Sequence, residues 1–447
     1  MGLICLLSGC GGGSSTPSPP APAAQTYSLS VSTPINGTVT SSPAGITCAT
    51  ACNASYAAGT EVTLQATPAS TAIFSGWTGA CSGSATTCTV TMSQDQTVTA
   101  VFALHSTPQT KPPLVGLVTM GSESWLSQGG LPQNQLREAN AHPGIYAGAV
   151  IQATWSQLEP QPGVFDDSVV DAALQAIATY NAKYPGTPLV GKLRVFAGPN
   201  TPAWVLQQTG SVTLSDSAGN PATFPDFWTQ QYSTLWTQLQ NHLASVYDTN
   251  PLIGEVAITA CASIDAEPFI TGFAQDTSAL LAAGYTDAQM EQCLASGAAD
   301  YAAWTLTPLD YTFNPLYLRT TASQPQGDST TFTLQVMQAF RAALGARGVL
   351  ANHGLDDPIG SSQLPLYSEF QTLYAAAAGA HPPTLAPLEF QTSGPTVDWP
   401  TVIPFAITTY HPTEIEIWNT TATGAGGLAP ITLSELQQWA AQLKASD

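Results

Sequence analysis

The chain contains very little charge, and basic residues are its scarcest charged type. Only 9% of its 447 residues are charged, against roughly 25% in an average soluble protein. Lys and Arg number nine against 29 Asp and Glu, and no basic residue precedes Lys111. A polyanion requires a basic patch that replaces its counterions, and a net charge of -20 leaves none. The sequence therefore excludes nucleic acid as a partner and is compatible with an uncharged ligand.

Long apolar runs are also missing, and no stretch of the sequence is long and apolar enough to span a bilayer. A short run, Leu3 to Leu7, leads into Leu7-Ser8-Gly9-Cys10, which resembles the lipobox of bacterial lipoproteins. The resemblance implies that Cys10 is diacylated and that residues 1–26 are a signal remnant and a Gly/Ser/Pro tether. We therefore expect an exported protein, lipid-anchored in the cell envelope at the outer membrane or cell surface.

Cysteines are few but clustered. Two local pairs lie four and seven residues apart in one short segment, Cys48 with Cys52 and Cys81 with Cys88. Pairs of this kind predict disulfides that close small loops in an oxidising compartment. A zinc site is the competing interpretation, but no His lies nearby and the intervening residues are turn formers. The state of Cys261 and Cys293 is left open.

Residues 27–103 alternate between apolar or β-branched and polar positions, which predicts short half-buried strands in a compact all-β domain. Within them, Tyr56-Ala-Ala-Gly-Thr-Glu-Val-Thr-Leu is followed by Phe74-Ser-Gly-Trp77. These motifs resemble the divergent internalin-type B-repeat of bacterial surface proteins, which implies a stalk or spacer. We expect Trp77 to be a core aromatic residue, with a sugar-stacking platform as the alternative.

After a linker at residues 104–113, short apolar runs alternate with helical patterns over residues 114–447, which predicts β/α units. Eight runs suit a (β/α)8 TIM-type barrel. The predicted strands are Val115 to Met120, Ala147 to Ala153, Val190 to Phe196, Glu255 to Ala260, Asp310 to Phe313, Val349 to Asn352, Leu385 to Phe390 and Glu414 to Trp418. A doubly wound open sheet is the alternative, but its Gly-rich first turn is missing.

The segment after the second predicted strand is the most specific motif of the barrel. It reads Trp155-Ser-Gln-Leu-Glu-Pro-Gln-Pro-Gly-Val-Phe-Asp and resembles the corresponding segment of clan A retaining glycoside hydrolases. We expect Glu159, within it, to brace the loop rather than to attack a sugar. The third strand runs into a loop that ends in Pro202-Ala-Trp204, which is similar to a loop of the same group.

The same resemblance indicates a catalytic pair. Glu267-Pro268 follows strand four, where clan A enzymes carry the acid/base in an Asn-Glu-Pro string, although Ala266 replaces the Asn. Glu389 ends strand seven, where these enzymes carry the nucleophile. A lone carboxylate in an apolar strand is costly to bury unless it is paired or functional. Retaining hydrolysis requires the two carboxyl groups about 5 to 5.5 Å apart, and we expect one of the two to have a raised pKa.

Further polar and aromatic residues fall at predicted strand ends. Alternation along strand three predicts that Arg194 lies inside the barrel, either as a structural ion pair or as the group that keeps a catalytic carboxylate ionised. His353 is equally compatible with a substrate contact and with a hydrogen-bonded loop histidine. The remaining predicted substrate contacts are Asn200, Trp204, Asn352 and Trp418.

The sequence thus predicts a monomeric retaining glycosidase that acts on a neutral or weakly charged oligo- or polysaccharide outside the cell. No cofactor or metal is implied, and the membrane is contacted through the lipid anchor alone. The alternative is a non-catalytic carbohydrate-binding or surface-display lipoprotein with a degenerate barrel.

Overall fold

The computed structural model describes residues 25–34, 36–48, 51–69, 72–104, 110–120, 136–216, 218–262, 267–270, 272–319, 326–379, 386–392, 398–417 and 431–445. These residues form two compact units, which divide after Pro108. Cys10 and Trp418 lie outside the described residues, so the lipid anchor and this aromatic platform stay predictions.

The N-terminal unit is an all-β domain of two four-stranded sheets, with strand orders β4-β1-β8-β6 and β3-β2-β5-β7. The strands are β1 Thr26–Val31, β2 Gly37–Ser42, β3 Thr47–Cys48, β4 Asn53–Ala57, β5 Glu61–Pro68, β6 Ala72–Gly79, β7 Thr87–Thr91 and β8 Gln96–Leu104. Along β5, buried Val62, Leu64 and Ala66 alternate with more exposed residues. One core cluster draws on both sheets, because each sheet has one apolar face to bury.

Both disulfides predicted in this unit are present, Cys48 with Cys52 and Cys81 with Cys88. Trp77 is only 4% exposed. Its indole NH donates to the carbonyl of Ala85, as expected of a buried Trp that satisfies its one donor. The prediction of a core aromatic residue is therefore confirmed.

The C-terminal unit is a closed barrel of eight parallel strands, so the open-sheet alternative is wrong. Its strands are β9 Gly116–Thr119, β10 Tyr146–Thr154, β11 Val190–Phe196, β14 Ile253–Ile258, β15 Leu309–Thr312, β18 Gly348–Leu355, β19 Leu388–Thr392 and β20 Glu414–Ile417. Each lies on one of the eight predicted runs, with ends that shift by a few residues. Buried parallel strands read as continuous apolar runs, which is why the sequence located them.

Helices surround the barrel. They are α1 Arg137–Ala141, α2 Trp155–Leu158, α3 Ser168–Lys183, α4 Ala203–Thr209, α5 Gln230–Tyr247, α6 Thr277–Ala282, α7 Asp287–Ser296, α8 Thr331–Leu344, α9 Leu364–Ala378, α10 Trp399–Tyr410 and α11 Leu433–Ala445. Helices α6 and α7 form an insertion between β14 and β15. Two short antiparallel hairpins were not predicted, β12 Ser211–Ser215 with β13 Pro221–Pro225 and β16 Leu316–Leu318 with β17 Gly327–Ser329. No helix among the described residues is long and apolar enough to cross a membrane.

A third disulfide joins Cys261, shortly after β14, to Cys293 on α7. Cys261 is fully buried and has φ +65°, a left-handed conformation that costs an L residue roughly 1–2 kcal/mol. The bridge therefore ties the chain that leads toward Glu267 to the inserted helix. It resolves the open question about these two cysteines.

Candidate active site

Three titratable residues from different parts of the barrel lie close together. The sequence placed Glu389 at the end of strand seven, but β19 continues to Thr392, so Glu389 is its second residue. Glu267 follows β14, His353 lies in β18 and Glu389 lies in β19. Glu389 is fully buried and His353 is 8% exposed. Glu267 and Glu389, which the sequence indicated as a pair, are thus separated by His353 on β18 and both contact it.

One imidazole ring connects the two glutamates. His353 Nδ1 lies 3.2 Å from Glu267 Oε1, and Nε2 lies 3.4 Å from Glu389 Oε2. These two contacts and the width of the ring place the two oxygens at most about 9 Å apart, within the range of about 5 to 9.5 Å that two-carboxylate glycoside hydrolysis covers. The paired arrangement that the sequence predicted is thus geometrically possible.

A chain of amides supports Glu267 from the opposite side. Asn314 Nδ2 donates to Glu267 Oε2 at 2.7 Å, and Gln363 Nε2 donates to Asn314 Oδ1 at 3.1 Å. Asn352 Nδ2 in turn donates to Gln363 Oε1 and to the carbonyl of Phe313. Sequence reasoning identified neither Asn314 nor Gln363, because a single amide in a loop carries no distinctive pattern.

Asn352 does not lie free for a substrate. It is fully buried, and its Oδ1 accepts hydrogen bonds from Tyr367 Oη and from the NH of Gly354. All its donor and acceptor groups therefore have protein partners. Asn352 is thus part of the amide chain that leads to Glu267, and its contact with a substrate stays a prediction.

The pKa directions follow from the imidazole contacts. Burial alone would lower the pKa of His353, but the charges of Glu389 and Glu267 raise it to about 10. Burial raises the pKa of Glu267, yet the charge and hydrogen bond of His353 outweigh burial and lower that pKa overall. Burial also raises the pKa of Glu389, more than the charges of Lys192 and His353 lower it. The sequence predicted a raised pKa that supplies a protonated acid, but the rise falls on Glu389, the expected nucleophile, and the pKa of Glu267, the expected acid, is lowered.

Below the glutamate pair, a buried ammonium group holds four carboxylates. Lys192 is fully buried, although its long polar side chain was not predicted to have a role. Its Nζ lies 3.1 Å from Glu255, 2.5 Å from Asp310, 2.6 Å from Glu414 and 2.9 Å from Glu416. We call Lys192 and these four acidic residues the lysine layer. Burial opposes the charge of Lys192, but the surrounding carboxylates raise its pKa well above the ordinary value.

The lysine layer contains four acidic side chains around one ammonium group, and their pKa values are shifted in different directions. Burial and the charge of Glu255 raise the pKa of Glu414 well above the ordinary value. Burial also raises the pKa of Glu255, to about 7, although Lys192 opposes it. Glu416 behaves differently, because Arg194 and Lys192 outweigh burial and lower its pKa. The pKa values of Glu414 and Glu416, two residues apart on β20, are therefore shifted in opposite directions.

Arg194 combines the two roles that the sequence left open. It forms an ion pair with Glu416, Nη2 to Oε1 at 2.7 Å, and its charge contributes to the lowered pKa of Glu267. Its Nη1 lies 3.4 Å from the sulfur of Met120. Arg194 is thus a buried ion pair that also favours ionisation of a candidate catalytic carboxylate.

Two groups of buried residues bring possible metal ligands within 4.8 Å of one another: Glu255, Asp310 and Glu414, and His353, Glu389 and Glu416. The ammonium of Lys192 contacts every member of the first group. His353, in the second, has a pKa of about 10, and a protonated imidazole has no lone pair for a metal. Neither group fits a metal ion well, because each already contains a cation.

Two other predicted contacts, Asn200 and Trp204, lie in the segment that follows β11. Asn200 is half-buried in the turn after β11. Trp204 is half-buried on α4, packs edge-on against Trp155, and donates its indole NH to the carbonyl of Glu159. Glu159 accepts hydrogen bonds from Trp155 and from the NH of Gly163, which is the bracing arrangement that the sequence predicted.

Sequence reasoning missed two amides on the inner face of the barrel. Gln152 pairs in register with Arg194, and Gln391 pairs with Glu416. Gln152 is 1% exposed, and within the described part of the chain neither atom of its amide has a hydrogen-bond partner. The same holds for Oε1 of Gln391. The position of Gln152, one residue before the end of the second predicted strand, was the available signal.

Comparison with known proteins divides along the two units. Residues 27–106 match the family model described as the divergent InlB B-repeat domain. No curated protein matches the chain.

Among solved structures, the barrel resembles glycosidases at low identity. A cold-adapted β-galactosidase from Rahnella sp. R3 is 13% identical with a TM-score of 0.42, and the match covers 75% of this chain and 58% of that one. Endo-glycoceramidase II from Rhodococcus sp. is 14% identical with a TM-score of 0.43, and the match covers 74% of this chain and 81% of that one. An exo-β-1,4-mannosidase from Opitutaceae bacterium strain TAV5 is 11% identical with a TM-score of 0.42, and the match covers 77% of this chain and 62% of that one. At these identities the likeness concerns the fold and carries no conclusion about activity. The N-terminal unit therefore matches the family that its motifs predicted, and the C-terminal unit is the predicted eight-stranded parallel barrel.

Proposed function

We propose that the barrel is a retaining glycosidase in which Glu389 is the nucleophile and Glu267 is the general acid and base. The observation that carries the proposal is the contact of both carboxylates with the two ring nitrogens of His353. A fully buried carboxyl group and a partly exposed one that both contact one imidazole ring provide the two groups that a double displacement at a sugar requires.

In the first step, Glu389 attacks the anomeric carbon, the glycosidic carbon–oxygen bond breaks, and the leaving oxygen takes a proton from Glu267. In the second step, Glu267 removes a proton from water, water attacks the same carbon, and Glu389 leaves as a carboxylate. Each residue thus ends the cycle as it began. The nucleophile must be ionised at the start, which requires cations near a fully buried Glu389.

Because the pKa of Glu267 is lowered, a general acid at this position needs a nearby group that holds the proton. With a pKa of about 10, His353 holds a proton at neutral pH, and its Nδ1 lies 3.2 Å from Glu267 Oε1. Bond formation by Glu389 removes one of the two negative charges that raise the pKa of His353. The proton then moves more readily to Glu267 and on to the leaving oxygen, so His353 supplies the acid's proton in the first step. In the second step, Glu267 passes the proton that it takes from water back to His353 as Glu389 leaves as a carboxylate, so all three residues end the cycle as they began.

We further propose that the substrate is a neutral or weakly charged glycan. Buried amide groups without a partner cost roughly 1–3 kcal/mol, and sugar hydroxyls are suitable partners for Gln152 and Gln391. The barrel interior already contains an excess of carboxylates, which would repel an acidic sugar. We propose an oligo- or polysaccharide outside the cell, reached by a monomer that Cys10 anchors in the envelope.

The test is a screen of the purified protein against aryl glycosides and polysaccharides, repeated with E389Q, E267Q and, as control, E369Q at a partly exposed position on α9. E389Q should lose turnover by a factor of roughly 10³ or more, because no nucleophile remains. E267Q should retain the first step on substrates with activated leaving groups. Turnover of E389Q equal to that of E369Q would refute the pair. Glycan binding without turnover in every variant would favour the surface-binding alternative.

A further inference from the structure

The lysine layer lies directly against the proposed nucleophile. Glu389 pairs in register with Glu414, whose carboxylate contacts Lys192 at 2.6 Å. Glu389 and Glu416 each bring an oxygen within 4.8 Å of the other and of His353, and Glu416 contacts Lys192 at 2.9 Å. Two adjacent members of the layer therefore stand between the ammonium group and Glu389.

We propose that Lys192 is a positioning residue for Glu389: its ammonium group, in contact with four acidic side chains, favours the ionised form of the nucleophile against the cost of burial inside the barrel. The inference rests on the proposed function, because ionised Glu389 is required only of a nucleophile. Lys192 touches neither substrate nor reacting atoms, and acts through the charge that it maintains beneath them.

Charge balance supports this role. A fully buried lysine is costly unless it is paired, and pairing with one carboxylate would satisfy it. Four carboxylates around one ammonium exceed what pairing requires, and they fix Nζ from several barrel strands at once. An ammonium held in this way cannot turn to solvent or to a single partner. Its field on Glu389 is therefore constant, whereas the charge of His353 changes during the proposed reaction.

Other ionisable groups also act on Glu389, so the contribution of Lys192 must be separated from theirs. Those on neighbouring elements of the described chain are Arg194 on β11, His353 on β18, Glu414 and Glu416 on β20, Tyr367 on α9, and Glu267 through His353. Lys192 and His353 oppose the rise in pKa that burial causes at Glu389, and Glu416 adds to that rise. Removal of Lys192 and removal of Glu416 should thus shift the ionisation of Glu389 in opposite directions.

The experiment measures the ionisation of Glu389 directly, in the full-length protein labelled with ¹³C at the glutamate carboxyl carbons. The Glu389 signal is assigned as the one missing from E389Q, and its titration is followed in the wild type, K192M and E416Q. K192M should move the titration of Glu389 up by about one pH unit or more, as expected for loss of a nearby opposite charge. E416Q should move it down. The acid limb of kcat/KM on an aryl glycoside should follow the same shifts.

Because K192M leaves buried carboxylates without a cation, it can fail to fold. The double variant K192M/E416Q removes one charge of each sign, so comparison with E416Q then isolates Lys192. E159Q is the matched control, since it replaces a buried glutamate outside the layer and should leave the titration of Glu389 unchanged.

The outcomes are distinct. An upward shift with K192M, or with K192M/E416Q relative to E416Q, supports the inference. A Glu389 titration that is the same with and without Lys192 overturns it, even if the protein hydrolyses glycosides. A shift without turnover of any substrate would leave the electrostatic coupling established while removing the proposed function.

Discussion

Trp155 and Glu159, four residues apart, are joined by a 3.1 Å hydrogen bond from the indole NH to the carboxylate. Both residues are buried, and Glu159 also accepts from the NH of Gly163 at 2.9 Å. The carboxylate thus closes the turn after β10, and Trp204 donates to the backbone carbonyl of the same residue. The motif that gave the strongest resemblance to glycoside hydrolases is therefore architectural at this glutamate.

Replacement of Glu159 by Ala should lower the free energy of unfolding by about 1–3 kcal/mol, because the buried indole NH of Trp155 loses its acceptor. E159Q should fall between Ala and the wild type, since its amide oxygen still accepts one bond. Urea denaturation of the three proteins measures this order. Equal stability of E159A and the wild type would show that the turn is held without this carboxylate.

The disulfide between Cys261 and Cys293 gives a second stability prediction. It closes a loop with a sequence separation of 32, for which chain entropy predicts about 3–4 kcal/mol of stabilisation. The double variant C261S/C293S should lose about that much in urea denaturation. It should also lose turnover, because the bridged chain leads toward Glu267.

A matched control is C48S/C52S in the N-terminal unit, where the bridge closes a separation of only 4. This variant should keep the activity of the barrel. If C261S/C293S kept both stability and turnover, the bridge would have no part in holding the site.

The strands and the glutamate pair were predictable because their signals are local. A buried parallel strand appears in the sequence as an apolar run. A carboxylate within such a run, like that of Glu389, is costly to bury unless it is paired or functional. The Glu-Pro string marked Glu267 in the same way. Their common attachment to His353 could not be predicted, since the sequence left that residue open between a loop contact and a substrate contact.

The lysine layer shows what the sequence cannot supply. Lys192 lies two residues before Arg194, and Glu414 two residues before Glu416, so strand alternation puts each pair on one face. That signal could have placed all four side chains inside the barrel. Which cation meets which carboxylate depends on barrel closure, because the contact between Lys192 and Glu414 joins strands more than two hundred residues apart along the chain.

Anchoring is tested separately from catalysis. In cells that express the full chain, C10A should release the protein from the membrane fraction, because Cys10 is the expected site of diacylation. Fractionation followed by immunoblotting measures the change, with C48S/C52S as a control for loss of cysteine. Unchanged membrane association of C10A would contradict the lipid anchor.

The last prediction concerns His353 and the pH dependence of activity. His353 lowers the pKa of both glutamates, so H353Q should let both rise. Since attack requires ionised Glu389, the acid limb of kcat/KM should move to higher pH by about one unit or more. The basic limb should change as well. In the wild type, the raised pKa of His353, about 10, stabilises the folded protein. This stabilisation is fully present below about pH 6.5 and is lost as the pH rises toward 10.

H242A is the matched control, because His242 also pairs with a carboxylate, that of Asp167 at 3.0 Å, but lies outside the barrel interior against Phe165. Its pH profile should coincide with that of the wild type. An H353Q profile that coincides with both would mean that the imidazole between the glutamates does not control their ionisation. The storage of the acid's proton on His353 would then be wrong, while the two-carboxylate mechanism could still be judged by E389Q alone.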